Sequence, residues 1–107
     1  VSANFQCADL AADHQLRVCL ELENPSRRER FGSEIASKIW PASVILAQWL
    51  VCYPRAVSAL SVLELGAGMG LVGLAAMHCG AKAALLTDLD LKVVHHMRAN
   101  IARNAAA

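Results

Sequence analysis

The chain has 107 residues, a formal net charge of +1, 56% hydrophobic residues and 18% charged ones. Its length suits one domain, and it is more apolar and less charged than an ordinary soluble domain. Acids and bases are intermixed, which gives no electrostatic case for nucleic acid or a membrane surface.

The basic cluster Arg27-Arg28-Glu29-Arg30 lies beside Pro25 and Ser26 and reads as a solvated loop. The apolar excess is expected to meet further protein. With Val1 at one end and Ala105-Ala106-Ala107 at the other, both ends read as cut. Cys7, Cys19, Cys52 and Cys79 form no C-x-x-C pair. They are expected to be reduced thiols of an intracellular protein, with no metal site and no disulfide framework. No signal peptide is visible. The most apolar window, Val44 to Cys52, is far short of the roughly 20 residues a membrane span needs. A soluble protein of the cytoplasm or nucleus is the expectation.

Residues 1–15 carry mixed signals, with Ala8, Ala11 and Ala12 weakly helical. Leu16 to Leu22 alternates apolar and polar residues and predicts a half-buried strand, which Asn24-Pro25-Ser26 breaks. Phe31-Gly32 and Ile35 to Trp40 predict a second extended piece, hairpinned against the first. Pro41 suits the first turn of a helix running to Cys52. Only Ser43 and Gln48 are polar in that helix, so it is either buried or awaits a partner surface. Ser61 to Leu65 reads as a core strand, Leu71 to Cys79 as a helix capped by Gly80, and Ala83 to Thr87 as a second buried strand. Val93, Val94, Met97 and Ile101 share one face of a last helix from Leu91 to Asn104. Strand, helix, strand, helix at this spacing predicts a right-handed βαβ unit, the start of an α/β, doubly wound parallel sheet. Residues 1–40 are then an N-terminal strand or hairpin extension, and 41–107 the N-terminal part of the α/β domain.

The organising stretch is Ser61-Val62-Leu63-Glu64-Leu65-Gly66-Ala67-Gly68-Met69-Gly70-Leu71. A glycine turn between strand and helix lets a ligand approach backbone with no Cβ in the way. Two cofactor classes use such a turn. Dinucleotide enzymes use G-x-G-x-x-G with an acid about 20 residues on. Gly68-Met69-Gly70-Leu71-Val72-Gly73 with Asp88 contains that pattern, but Gly66 already stands at the strand end. Counted from Gly66, the last glycine position holds Leu71. S-adenosylmethionine enzymes have no pyrophosphate to cradle, and an acid on the next strand accepts both ribose hydroxyls. Glu64 to Gly70 with Asp88 fits this without a register shift.

The segment from Ile39 to Asn104 resembles the seven-strand (class I), S-adenosylmethionine-dependent methyltransferases, and among them the lysine-type protein methyltransferases. The resemblance rests on Ile39-Trp40-Pro41-Ala42-Ser43, Leu63 to Gly73, Thr87-Asp88, and Asn100-Ile101-Ala102-Arg103-Asn104, in that order. Met69 stands where the family commonly has Thr. The resemblance implies that S-adenosyl-L-methionine is the cofactor and that a protein side chain, lysine first, is methylated on nitrogen. It implies that Gly66, Ala67 and Gly68 line the cofactor through backbone and that Asp88 holds the ribose hydroxyls. Trp40 would close the pocket, and Glu64 would organise donors or polar cofactor atoms. Asp90 is the competing acid, and Trp40 can also be read as a core aromatic. His95 and His96 read as solvated, and His78 beside Cys79 cannot face it across one helix. Asn100 and Asn104 are expected to pin the helix end to the next connection.

The acceptor-side motifs of that family follow the segment matched by Asn104. The chain is therefore expected to be the cofactor-binding part, with the remainder of the domain missing. It is expected to be inactive until completed, and its catalytic residues are unassigned. A nicotinamide-dependent oxidoreductase fragment and a non-catalytic binding module of the same fold are the alternatives.

Overall fold

The computed structural model describes residues 4–9, 17–22 and 39–105. Strands β1 (Asn4–Asp9) and β2 (Arg17–Leu22) pair antiparallel, Asn4 opposite Leu22 and Asp9 opposite Arg17. The strand predicted around Leu16 to Leu22 is therefore present, and it pairs with a strand upstream. Ala8, weakly helical by propensity, is in a strand because the ladder to β2 outweighs local preference. Ala11, Ala12 and the predicted extended piece up to Lys38 lie outside the described residues. Ile39 and Trp40 belong to no regular element.

Helix α1 (Pro41–Cys52) starts at the predicted proline. Trp40 is extended at the N-cap position (φ −74°, ψ 145°), the conformation a following proline favours. Its carbonyl accepts the N–H groups of Ser43 at 3.0 Å and Val44 at 3.3 Å. Of the apolar residues on this helix, Ala47 and Leu50 are buried, whereas Ile45, Leu46 and Trp49 are exposed. Of the two expectations for a helix apolar all round, the exposed face fits a helix with surface left for a partner. A 3-10 turn at Pro54–Ala56 ends the run.

Strands β3 (Ser61–Glu64) and β4 (Ala83–Leu86) are parallel, with Ser61 beside Ala83 and Glu64 beside Leu86. Helix α2 (Leu71–His78) connects them, which makes the predicted βαβ unit, and α3 (Leu91–Ala105) follows. Strand β4 stops one residue before the predicted Thr87. The Thr87 N–H and Oγ1 both donate to the Glu64 carbonyl, at 2.9 and 2.8 Å, and fasten the end of β4 to the end of β3. This is the α/β architecture with which a Rossmann-like sheet begins.

The core lies on one side of the sheet. Ala47 from α1, Met69 from the glycine turn, Leu71, Leu74 and Ala75 from α2, and Val93 from α3 form one buried cluster. Leu50, Ala76 and Ala81 form a second, with Val57, Val62 and Val72 packed against it. The two faces of the sheet differ. Leu63 and Leu85, neighbours across the ladder, are 62% and 64% exposed, while Val62, Glu64, Ala84 and Leu86 are half-buried.

The small residues of α2 are what let it sit close on the sheet. A Cβ added at Gly73 would lie 2.5 Å from Leu86 Cγ and Cδ1, well inside contact distance. Leu86 Cγ is near the backbone and cannot swing clear without moving β4. Gly73→Ala is therefore expected to lower unfolding stability by about 1–3 kcal/mol, the usual cost of an extra methyl in a packed core. Urea unfolding of the two proteins checks this, and an unchanged midpoint would contradict the packing described.

Candidate functional site

The turn from Leu65 to Gly70 crosses the C-terminal edge of the two-stranded sheet, where ligands of open α/β sheets bind. Gly66, Gly68 and Gly70 all have positive φ, at 66°, 59° and 96°. Side chains disfavour that backbone, and a glycine-free sequence would not make this turn. The turn is stitched to the residues that follow β4. Ala67 N–H donates to the Thr87 carbonyl at 2.8 Å, and Gly68 N–H donates to Asp88 Oδ2 at 3.0 Å. Gly70 N–H closes the turn on the Ala67 carbonyl at 3.0 Å.

This geometry bears on the expectation that Gly66, Ala67 and Gly68 line a ligand through backbone. The N–H groups of Ala67 and Gly68 are committed inside the chain. What the turn presents outward is shape: Gly66 is exposed, and a Cβ placed on it would meet nothing within 4 Å.

Asp88 follows β4 and lies directly against this turn. Its Oδ2 takes the Gly68 N–H, and its Oδ1 accepts the N–H of Leu89 at 2.7 Å and, at a weaker 3.4 Å, that of Asp90. An ionised carboxylate has about four lone-pair sites, so acceptor capacity remains on a half-buried group. Asp90 has a different job. Its Oδ1 accepts Lys92 N–H at 2.9 Å and its carbonyl accepts Val94 N–H at 3.0 Å, which is an N-cap for α3. The fold thus separates the two acids, one on the turn and one on the helix start.

Glu64, the last residue of β3, is on the half-buried face of the sheet. Its carboxylate is hydrogen-bonded to the Gly73 backbone N–H, one of the first-turn donors of α2 that no intrahelical carbonyl can reach. Gly70, the N-cap of α2, has no side chain to offer, so the neighbouring strand supplies the anion at this helix start. Glu64 Oε1 is buried with no hydrogen-bond partner among the described residues. Burial pushes the Glu64 carboxyl above its ordinary pKa of 4.5, and the Gly73 N–H works against that rise. A buried carboxylate oxygen without a partner is rare in folded chains.

Trp40 is half-exposed beside Ile39, which packs on the core cluster that contains Met69 and Leu71.

Asn100 is the residue whose position departs most from expectation. It is fully buried, and its Nδ2 donates to the Met69 carbonyl at 3.2 Å. Arg103 Nη1 donates to Asn100 Oδ1 at 2.7 Å, and Asn104 Nδ2 donates to the Asn100 carbonyl at 2.8 Å. The pin runs back to the glycine turn. The signal was in the helical spacing: Asn100 continues the face of Val93 and Met97, and an amide on a buried face implies a buried partner.

Other features lie elsewhere or add nothing. An open groove of about 330 Å³ lined by Leu74, Met77, His78, Ile101 and Asn104 involves the far end of α2, away from the turn. Among the described residues, no three His, Cys, Asp or Glu side chains gather as a metal site, and no helix is long and apolar enough to cross a membrane.

Residues 22–107 match the family model described as lysine methyltransferase. A histone-arginine methyltransferase of Rattus norvegicus is 47% identical over 53 residues, 50% of this chain and 24% of that protein. A protein-lysine N-methyltransferase of Mus musculus is 36% identical over 66 residues, 61% of this chain and 20% of that protein. The matches thus span about a quarter or less of these relatives' lengths. With its βαβ core, its glycine turn and a family match over most of its length, the chain belongs to the lysine methyltransferase family.

Proposed function

We propose that this chain binds S-adenosylmethionine at the glycine turn and acts within a methyltransferase that modifies a protein side chain on nitrogen. The observation that carries this is the pairing of Asp88 with Gly68 at 3.0 Å beside the open space over Gly66. The pairing holds a carboxylate with spare acceptor capacity at the rim of a surface that a Cβ would otherwise fill. A ribose presenting two hydroxyls to Asp88 suits that capacity. Glu64 Oε1, buried and without a partner among the described residues, suits a donor on the polar end of the same ligand. Trp40 would shield the ligand from water. The bound cofactor supplies an electrophilic methyl group on a sulfonium, and the residues here bind and orient it, which is the larger part of what such a transfer needs. Lysine stands first as acceptor because the family description names it. Arginine is the second reading, favoured by the name of the rat relative. A protein partner is implied by either.

Calorimetric titration with S-adenosylhomocysteine and, separately, with NAD tests the reading. Binding of the first and not the second is expected, and the reverse would overturn the assignment. Asp88→Ala is expected to weaken S-adenosylhomocysteine by about tenfold or more, since it removes charge-assisted hydrogen bonds to the ligand. Asp88→Asn, which keeps the shape, should lie between.

Glu64 gives a pH signature. Its pKa is raised in the folded state, so the folded chain retains a proton that the unfolded chain releases just above 4.5. Stability attributable to this group therefore falls as pH rises from 4.5 through the raised folded value. Glu64→Gln is expected to melt above the wild type at pH about 7. The difference should vanish below pH about 4, where the wild-type carboxyl is neutral in both states. The same variant should bind S-adenosylhomocysteine more weakly. A melting difference independent of pH would contradict the burial of the charge.

A further inference from the structure

We infer that Asn100 is a positioning residue for the cofactor turn, acting through the Met69 carbonyl from inside the core. The inference rests on the proposed binding of S-adenosylmethionine at that turn. Three observations carry it. Asn100 is the sole buried polar side chain among the described residues, at 0% exposure. Its amide orientation is fixed: Arg103 can only donate, so the atom it touches at 2.7 Å is the oxygen, and the nitrogen must face Met69. The carbonyl it holds belongs to the peptide between Met69 and Gly70, in a turn whose glycines have positive φ and little rigidity of their own.

The turn is thereby gripped from two sides. Asp88 takes the Gly68 N–H at the surface, and Asn100 takes the Met69 carbonyl below, one residue further on. The Met69 side chain, itself buried, anchors the same residue in the core cluster. If Asn100 let go, the Met69–Gly70 peptide would be free to rotate, and Gly68 would move relative to Asp88. A helix that touches no ligand thus sets the spacing between the open turn and the acid beside it.

The test uses Asn100→Asp, an isosteric change that keeps the Arg103 contact and removes the donor to Met69. Leu50→Ala, in the second core cluster, serves as a stability control. S-adenosylhomocysteine affinity is expected to fall about tenfold in Asn100→Asp, the scale of one buried hydrogen bond, and to stay near wild type in Leu50→Ala. The Gly68 and Gly70 amide resonances should shift in ligand-free Asn100→Asp, a signature that general destabilisation does not produce. Wild-type affinity in Asn100→Asp with the glycine amides unmoved would overturn this inference and leave the binding proposal standing. No binding of S-adenosylhomocysteine by the wild type would overturn both. Should Asn100→Asp not fold, the wild-type protein carries the test. Saturating S-adenosylhomocysteine should shift the buried Asn100 side-chain amide resonances, and their constancy would overturn the role.

Discussion

The contact between the Gly68 N–H and the Asp88 carboxylate joins the two halves of the βαβ unit at the point where a ligand would lie. A turn with three positive-φ glycines has no stiffness of its own, and ordering it costs more backbone entropy than any other composition. Its shape comes from outside the turn. Thr87 and Asp88 hold it from the end of β4, Asn100 holds it from α3, and the buried Met69 side chain holds it from the core. Removing the glycines would remove the shape, and removing these ties would leave the glycines without one.

The regular elements were legible because each carries its own local signal. Pro41 marks the start of α1, Gly80 follows α2, and the period of Val93 and Met97 marks the buried face of α3. The strand boundaries were legible to within a residue. The bond from the Thr87 hydroxyl to the Glu64 carbonyl was not, because it is a tertiary contact with no trace in propensity. The pairing of β1 with β2 was not read, since the first fifteen residues carry mixed propensities and β1 is a strand through its ladder to β2.

At the candidate site, the conjunction of glycine turn and Asp88 could be read from spacing alone. The destinations of the hydrogen bonds could not. The resemblance implied that Gly66, Ala67 and Gly68 line the cofactor through backbone; the N–H groups of Ala67 and Gly68 are donated to residues after β4. Likewise, Glu64 was legible as a polar residue at the strand end, yet its partnership with the Gly73 N–H depends on how closely α2 approaches the sheet. That approach depends on Gly73 lacking a Cβ against Leu86. One glycine in the helix thus bears on where a carboxylate at the end of the preceding strand finds its donor.

The unequal faces of the sheet have a consequence for handling the protein in water. Leu63 and Leu85 stand side by side across the ladder, and Leu65 extends the row at 78% exposure. Contiguous exposed leucines on a pleated surface form an adhesive strip. Its attraction is non-directional and strengthens with temperature from the cold upward and with salting-out solutes. The row runs from the sheet face onto Leu65, the first residue of the glycine turn, so conditions chosen to keep the chain dispersed act on a surface that reaches the turn itself.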